Sequence, residues 1–231
     1  MITYQLLPSV VIGFDNQVYK IFKTSALREK ESDRMLNFTD DFVAMGEQAF
    51  AMRLVKVLGH YEKLLILQKA PGEELSDLLL KGTDHAMVIG RCLKMAHLNF
   101  SDSVVHHENA LLGDFVISHL FVDSPNKLIT YIDPGANFML PGDQLEDVAR
   151  FLFSVADEYR FRPFRAMSVM RKFLMGYNEK GPSCKRSTLA AVEVRKNRSI
   201  YKYFLQKTKI RAVIGSLIIR YNAVLIACVV K

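Results

Sequence analysis

Residues 111–135 read LLGDFVISHLFVDSPNKLITYIDPG. Two apolar runs, ending in LFV and LITYI, flank DSPN at 123–126, and Asp, Ser, Pro and Asn are the residues of tight turns. The pattern is that of a short hairpin. Its polar residues sit at definite places: Asp114 follows the small Gly113, His119 stands directly before LFV, and Asp133 ends LITYI ahead of Pro134-Gly135. A carboxylate at a strand end, with a turn behind it, can be presented to a metal. Two strands joined by a short turn would also bring His119 beside Asp133.

The rest of the chain sets the frame. It has 231 residues, 50% of them hydrophobic and 24% charged, an ordinary globular composition with enough apolar surface for one core shared by two small lobes. Cys92, Cys184 and Cys228 are far apart and form no CxxC pair, which argues against a disulfide framework or zinc site and fits a reducing compartment. The N-terminal MITYQLLPSVVIGFDNQ has neither the basic nor the apolar region of a signal peptide, so a cytoplasmic location is expected. The net charge of +7 is concentrated: residues 192–231 hold nine Lys/Arg and one Glu. A basic segment mixed with apolar residues suits an anionic surface, and phospholipid headgroups are favoured here over nucleic acid. Arg220 and Asn222 interrupt the longest apolar run, 212–230, so an interfacial or a core position fits it better than a bilayer span.

Residues 9–23 read as two strands around the turn FDNQ, and 24–36 as a charged, exposed stretch. A helix is expected over 39–58, capped by Thr39 or Asp40, with an apolar stripe at Val43, Phe50, Ala51, Leu54 and Leu58. A buried strand follows at 63–69, then helices beginning with Ser76, over 84–98, and over 145–160 with helical character continuing to about 175. The fold class is therefore α+β: a β-rich first lobe over 1–68, a mostly helical lobe over 69–190 that carries the hairpin, and a basic, apolar helical segment over 191–231.

Phosphoryl transfer needs a carboxylate to orient the acceptor hydroxyl, ligands for magnesium, and a lysine on the nucleotide phosphates. The chain carries a candidate for each. Stretch 113–135 resembles the catalytic hairpin of the protein-kinase-like phosphotransferases, in particular the aminoglycoside and choline kinase group. There it reads approximately His-Gly-Asp, four residues, Asn, an apolar run, then Ile-Asp-Phe-Gly. Histidine in place of that asparagine, in the context Asp114, Ile117, His119, is similar to the bacterial lipopolysaccharide core kinases.

The resemblance implies a two-lobed protein-kinase-like fold that uses ATP and Mg2+. It implies Asp114 as the catalytic carboxylate and His119 and Asp133 as the metal-facing pair. It further implies Lys20 on the phosphates, Glu47 pairing with Lys20, and a hinge at Gln68, Lys69 and Ala70 for the adenine. KMAHL at 94–98 resembles the helix end before the catalytic loop, and Asp147 in GDQLEDVARFL the structural acid behind it. The acceptor implied is a hydroxyl on a lipopolysaccharide core sugar or other cell-surface glycan, at the inner face of the cytoplasmic membrane, with 195–230 in peripheral contact.

Three departures stand out: Leu112 replaces His, Pro134 replaces Phe, and the first hairpin lacks a glycine-rich loop. They keep two alternatives open, a soluble aminoglycoside- or choline-type kinase and a nucleotide-binding protein without turnover. A membrane-binding protein with no nucleotide chemistry is a third. His106, His107 and Glu108 are read as an exposed loop.

Overall fold

The computed structural model describes residues 9–36, 50–102, 111–134, 138, 140–179, 185–206 and 209–230. Strands β1 (Ser9–Phe14) and β2 (Gln17–Phe22) form the expected hairpin, Phe14 pairing with Gln17. Asp15 takes φ 32°, a left-handed conformation that a short polar side chain tolerates in a tight turn. Strand β5 (Leu64–Gln68) pairs with β2, and β4 (Val57–Tyr61) with β5, giving an antiparallel sheet of order β1-β2-β5-β4. Alternation along β2 turns Lys20 and Phe22 inward, and Lys20 pairs with the buried Leu65 of β5 as Val18 does with the buried Leu67.

Two sequence expectations are corrected here. The charged stretch 24–36 is not a bare exposed segment: helix α1 occupies Ser25–Leu36 and buries Arg28, Ser32 and Met35 against the sheet. Those three share one helical face, and the buried Arg28 is satisfied there. Its Nε donates to the Glu62 carbonyl (3.1 Å), and Nη1 lies 3.2 Å from His60 Nδ1 and 3.4 Å from Ser32 Oγ.

The helix expected over 39–58 does not extend through its second half. Strand β3 covers Ala51–Leu54, and β4 starts at Val57. Met52 and Leu54 are buried while Ala51 and Arg53 are half-buried, a period of two that an i, i+4 count mistakes for a helical stripe. The first half of that span, Glu47 included, lies outside the described residues.

The 3-10 turn Ile117–His119 leads into β7 (Leu120–Asp123), and the turn at 124–127 returns the chain along β8 (Leu128–Tyr131). Strand β3 runs parallel to β8, and β6 (Glu73–Glu74) pairs with β7, so the second sheet has order β3-β8-β7-β6. The β3–β8 pairing joins residues 51–54 to the hairpin.

Helices α2 (Leu75–Lys81), α3 (Asp84–Asp102), α4 (Leu145–Glu158), α5 (Pro163–Asn178), α6 (Lys185–Gln206) and α7 (Lys209–Val230) make up the remainder. Helix α2 starts at Leu75, and Ser76 bonds to the Glu74 carboxylate instead of capping the helix end. Helices α3 and α5 cross closely because Gly90 faces the Phe173 backbone and Gly176 faces that of Met87. A Cβ at either position would collide with a carbonyl. Beneath them Phe151 stacks on Phe173 at 4.1 Å, and Phe115 meets both Phe151 (5.8 Å) and Tyr131 (5.7 Å). All four rings are fully buried, each contributing roughly 1.5–3 kcal/mol by burial and fixing the base of the hairpin.

Candidate active site

The hairpin's two polar loops are joined through their backbones. The Asp114 N–H donates to the Pro134 carbonyl (2.9 Å), and the Ile132 N–H to the His119 carbonyl (3.0 Å). Gly113 makes the first contact possible. It sits at φ 90°, and a Cβ there would strike the Pro134 carbonyl and the Phe138 backbone.

Behind this loop lies a buried polar brace. Asp147, fully buried on α4, accepts the N–H of Leu112 (2.7 Å) and of Gly113 (3.1 Å), and its Oδ2 lies 3.2 Å from His97 Nε2. Since an ionised carboxylate only accepts, His97 Nε2 carries a proton, and its Nδ1 lies 3.0 Å from the Tyr177 hydroxyl. The Tyr131 hydroxyl donates to the Leu112 carbonyl (2.9 Å). Burial, followed by the charges of Asp147, Asp114 and Asp133, pushes the Tyr131 phenol far above its usual range, so it stays a donor. The backbone of Leu112 thus has both polar groups bonded, and its side chain fills the core. A histidine side chain is not needed at 112 to fix the loop.

The front of the loop is different. Asp114 is half-exposed, and its Oδ1 pairs with Arg150 Nη1 at 3.1 Å. His119 Nδ1 lies 3.1 Å from the Asp114 carbonyl, which can only accept. Nδ1 therefore carries a proton, and in the neutral ring the lone pair is on Nε2.

Asp133 Oδ2 lies 3.3 Å from Lys20 Nζ, a nearly buried lysine on β2. This pair closes one end of a cavity of about 210 Å³. Val11, Val18, Val55 and Leu67 wall it on one side and Phe121 and Ile132 on the other; Gln68, Lys69 and Ala70 close the far end. The N–H of Gln68 donates to the Lys56 carbonyl and that of Lys69 to the Asn16 carbonyl, both at 2.8 Å. Among the described residues Ala70's N–H has no backbone acceptor, so it is available on the cavity's lining.

Lys20, Gln68, Lys69, Ala70 and Asp133 thus line one cavity, while Asp114 and His119 stand on the loop bonded to Pro134. Glu47 lies outside the described residues, so its pairing with Lys20 is not described; Asp133 is one partner of Lys20. His106, His107 and Glu108 also lie outside them. Sequence reasoning did not single out His97, Tyr177, Arg150 or Arg195. The signal for His97 was a histidine on the buried face of α3, in step with Ile89 and Leu93. No group of three or more His, Cys, Asp or Glu suited to hold a metal occurs among the described residues. Asp133 offers a single carboxylate, which fits magnesium, an oxygen-seeking ion that keeps waters and takes its other ligands from phosphates, while an imidazole such as His119 is a poor ligand for it.

By sequence, no family model matches the chain and no curated protein does. By structure, it is similar to solved proteins over nearly its whole length. The amicoumacin kinase hAmiN, in complex with AMP-PNP, Ca2+ and Ami, aligns with TM-score 0.56 and 10% identity over 94% of this chain and 88% of its own. A Plasmodium vivax ethanolamine kinase gives TM-score 0.56 and 10% identity, covering 94% of this chain and 82% of its own. The ADP-bound aminoglycoside phosphotransferase APH(2'')-Ib gives 0.51 and 16%, over 97% and 95%. At these identities the likeness shows the fold. The chain shares the protein-kinase-like fold of these solved kinases, with a small sheet-based lobe followed by a mostly helical one.

Proposed function

We propose that this chain is a kinase that transfers the γ-phosphoryl group of ATP to an alcohol. The observation that carries the reading is the cavity between the sheets: an apolar slot with an available N–H at Ala70 and the Lys20–Asp133 pair at its other end. An adenine edge fits the hinge, its faces fit the valine and isoleucine walls, and Lys20 suits the phosphates.

Asp133 would hold magnesium, and His119, with its Nε2 lone pair, would accept a hydrogen bond from a metal-bound water. Bound magnesium supplies charge neutralisation at the phosphate oxygens. Asp114 orients the acceptor hydroxyl and receives its proton as the oxygen bonds to the γ-phosphorus and the bond from that phosphorus to the bridging oxygen breaks, releasing ADP. The buried brace at Asp147 holds Asp114 in place for this step.

The acceptor we favour is a sugar of the lipopolysaccharide core or another cell-surface glycan, met at the inner face of the cytoplasmic membrane. Support comes from α7. Its Arg211–Val230 stretch is long and apolar enough to cross a bilayer by length and composition, yet Ala223, Leu225 and Ile226 pack inward. Val213, Ile214, Leu217, Tyr221 and Val224 form an exposed apolar stripe beside the exposed Arg211 and Arg220. Such a face suits peripheral contact through 195–230.

A second reading, a nucleotide-binding protein without turnover, is favoured by the Arg150–Asp114 ion pair, which occupies the carboxylate that should act as base.

Thermal denaturation with Mg-ATP tests the nucleotide site. At a hundredfold excess over Kd the expected rise in Tm is roughly 5–10 °C, and it is expected to vanish in Asp133→Ala. No shift at millimolar Mg-ATP, with the protein folded, would sink the reading. Given a shift, phosphate transfer that falls about 10²–10⁴-fold in Asp114→Asn supports the kinase. Binding without transfer to any alcohol supports the second reading.

A further inference from the structure

The surface beside Asp114 is built from arginines, and this deepens the kinase reading, on which it rests. On α4, Arg150 bridges Asp114 (3.1 Å) and Glu146 (3.2 Å), the latter one turn back along the same helix. Arg198 of α6 reaches the same Glu146 oxygen at 2.7 Å, which docks α6 alongside α4. One turn before Arg198 stands Arg195, half-buried, in the electrostatic reach of Arg150, Asp114, Glu146 and Arg198.

Arg150 and Arg198 have carboxylate partners. Arg195 makes no hydrogen bond or ion pair with any described residue. The cluster holds Arg150, Arg195 and Arg198 against Asp114 and Glu146, one positive charge in excess. Burial, and then the like charge of Arg150, lower the Arg195 pKa to about 10, so it stays cationic at neutral pH. A partly desolvated guanidinium that bonds no described residue is costly, and one within electrostatic reach of Asp114, in a cluster of net positive charge, is placed to receive an anion. Its planar fork matches phosphate and carboxylate geometry. A cationic amino sugar would meet repulsion at the same place.

We propose that Arg195, backed by Arg150, binds a phosphate or carboxylate group on the acceptor whose hydroxyl Asp114 orients. The acceptor is thereby an anionic hydroxyl compound, a sugar phosphate or a sugar acid, and not a polyamine antibiotic or a choline-like amine. Arg150 acts as a positioning residue that holds Asp114.

The test uses the full chain saturated with Mg-AMP-PNP at constant ionic strength. Glucose 1-phosphate and glucuronate are titrated against glucose, glucosamine and gentamicin, with Tm and equilibrium binding as readouts. The anionic probes are expected to bind and the other three not to. Arg195→Gln is expected to weaken anion binding roughly ten- to a hundredfold while the Mg-AMP-PNP shift persists, which also shows that the variant folds. Arg195→Lys should fall between, because it keeps the charge and loses the fork. Glucose 1-phosphate and glucuronate together separate a phosphate site from a carboxylate site.

Preference for glucosamine or gentamicin, no response to either anion, or an anion response unchanged in Arg195→Gln would overturn the proposal. Loss of the nucleotide response alone, with the anion response intact, would overturn the kinase reading instead.

Discussion

The two sides of the loop at 111–119 use the same residue types in opposite ways. Behind the loop, Asp147 is fully buried and accepts three donors, and the chain from Tyr177 through His97 to the backbone of Leu112 leaves no capacity for a ligand. In front, Asp114 is half-exposed with one arginine partner, and the neutral His119 ring has its lone pair on Nε2. Saturation makes a carboxylate structural, and spare capacity makes it chemical. Burial separates the two settings, on opposite sides of one short loop.

Truncation of the buried aspartate is the strongest way to break that contrast. Asp147→Ala leaves two buried N–H groups and the His97 Nε2–H without an acceptor, and a stability loss of about 3–5 kcal/mol is expected in urea denaturation. Asp114→Asn, on the exposed side, should stay within roughly 0.5 kcal/mol of the wild type. Similar losses for both would mean that the two carboxylates are not divided as the geometry divides them.

The legible parts of this molecule are those whose spacing is set by local geometry. A hairpin fixes the separation of Asp114, His119 and Asp133 along the chain, so their pattern could be read directly, as could the inward face of Lys20 on β2. Helix α1 was missed because two of the three buried residues described on it, Arg28 and Ser32, are polar, and a search for apolar periodicity passes over them. The second half of the 39–58 span was misread because Phe50, Ala51 and Leu54 satisfy a helical count while Met52 and Leu54 satisfy a strand count. Only pairing with β8, far along the chain, decides between the two for 51–54. Arg195 could not be linked to Asp114 from sequence at all, since their neighbourhood depends on how α6 docks on α4.

A milder cut sharpens the comparison from the rear. Tyr177→Phe removes the hydroxyl beside His97 Nδ1 and keeps the ring beneath Lys94, whose Nζ lies 5.2 Å from its centroid. A loss of about 1–2 kcal/mol is expected. Nucleotide binding at Lys20 and Asp133 should be unaffected, because the brace and the cavity share no side chain. A Tyr177→Phe variant that keeps full stability would show that the network ends at His97.

The two described cysteines extend the contrast to reactivity, with the smallest effect on the molecule. Cys92 is fully buried on α3, and desolvation pushes its thiol up to about 12, with Arg91 opposing only in part. Cys228 is exposed near the end of α7. Alkylation needs the thiolate, so at pH 8 Cys92 should react at least about a thousandfold more slowly than an ordinary thiol of pKa near 8.5. Raising the pH within the folded range should do little, because the barrier is burial as well as charge. Peptide mapping after brief iodoacetamide treatment should find Cys228 labelled and Cys92 labelled only once the protein is unfolded. Labelling of native Cys92 at a rate near that of Cys228 would mean that α3 opens readily. The brace built on His97 of the same helix would then be far less rigid than its hydrogen bonds imply.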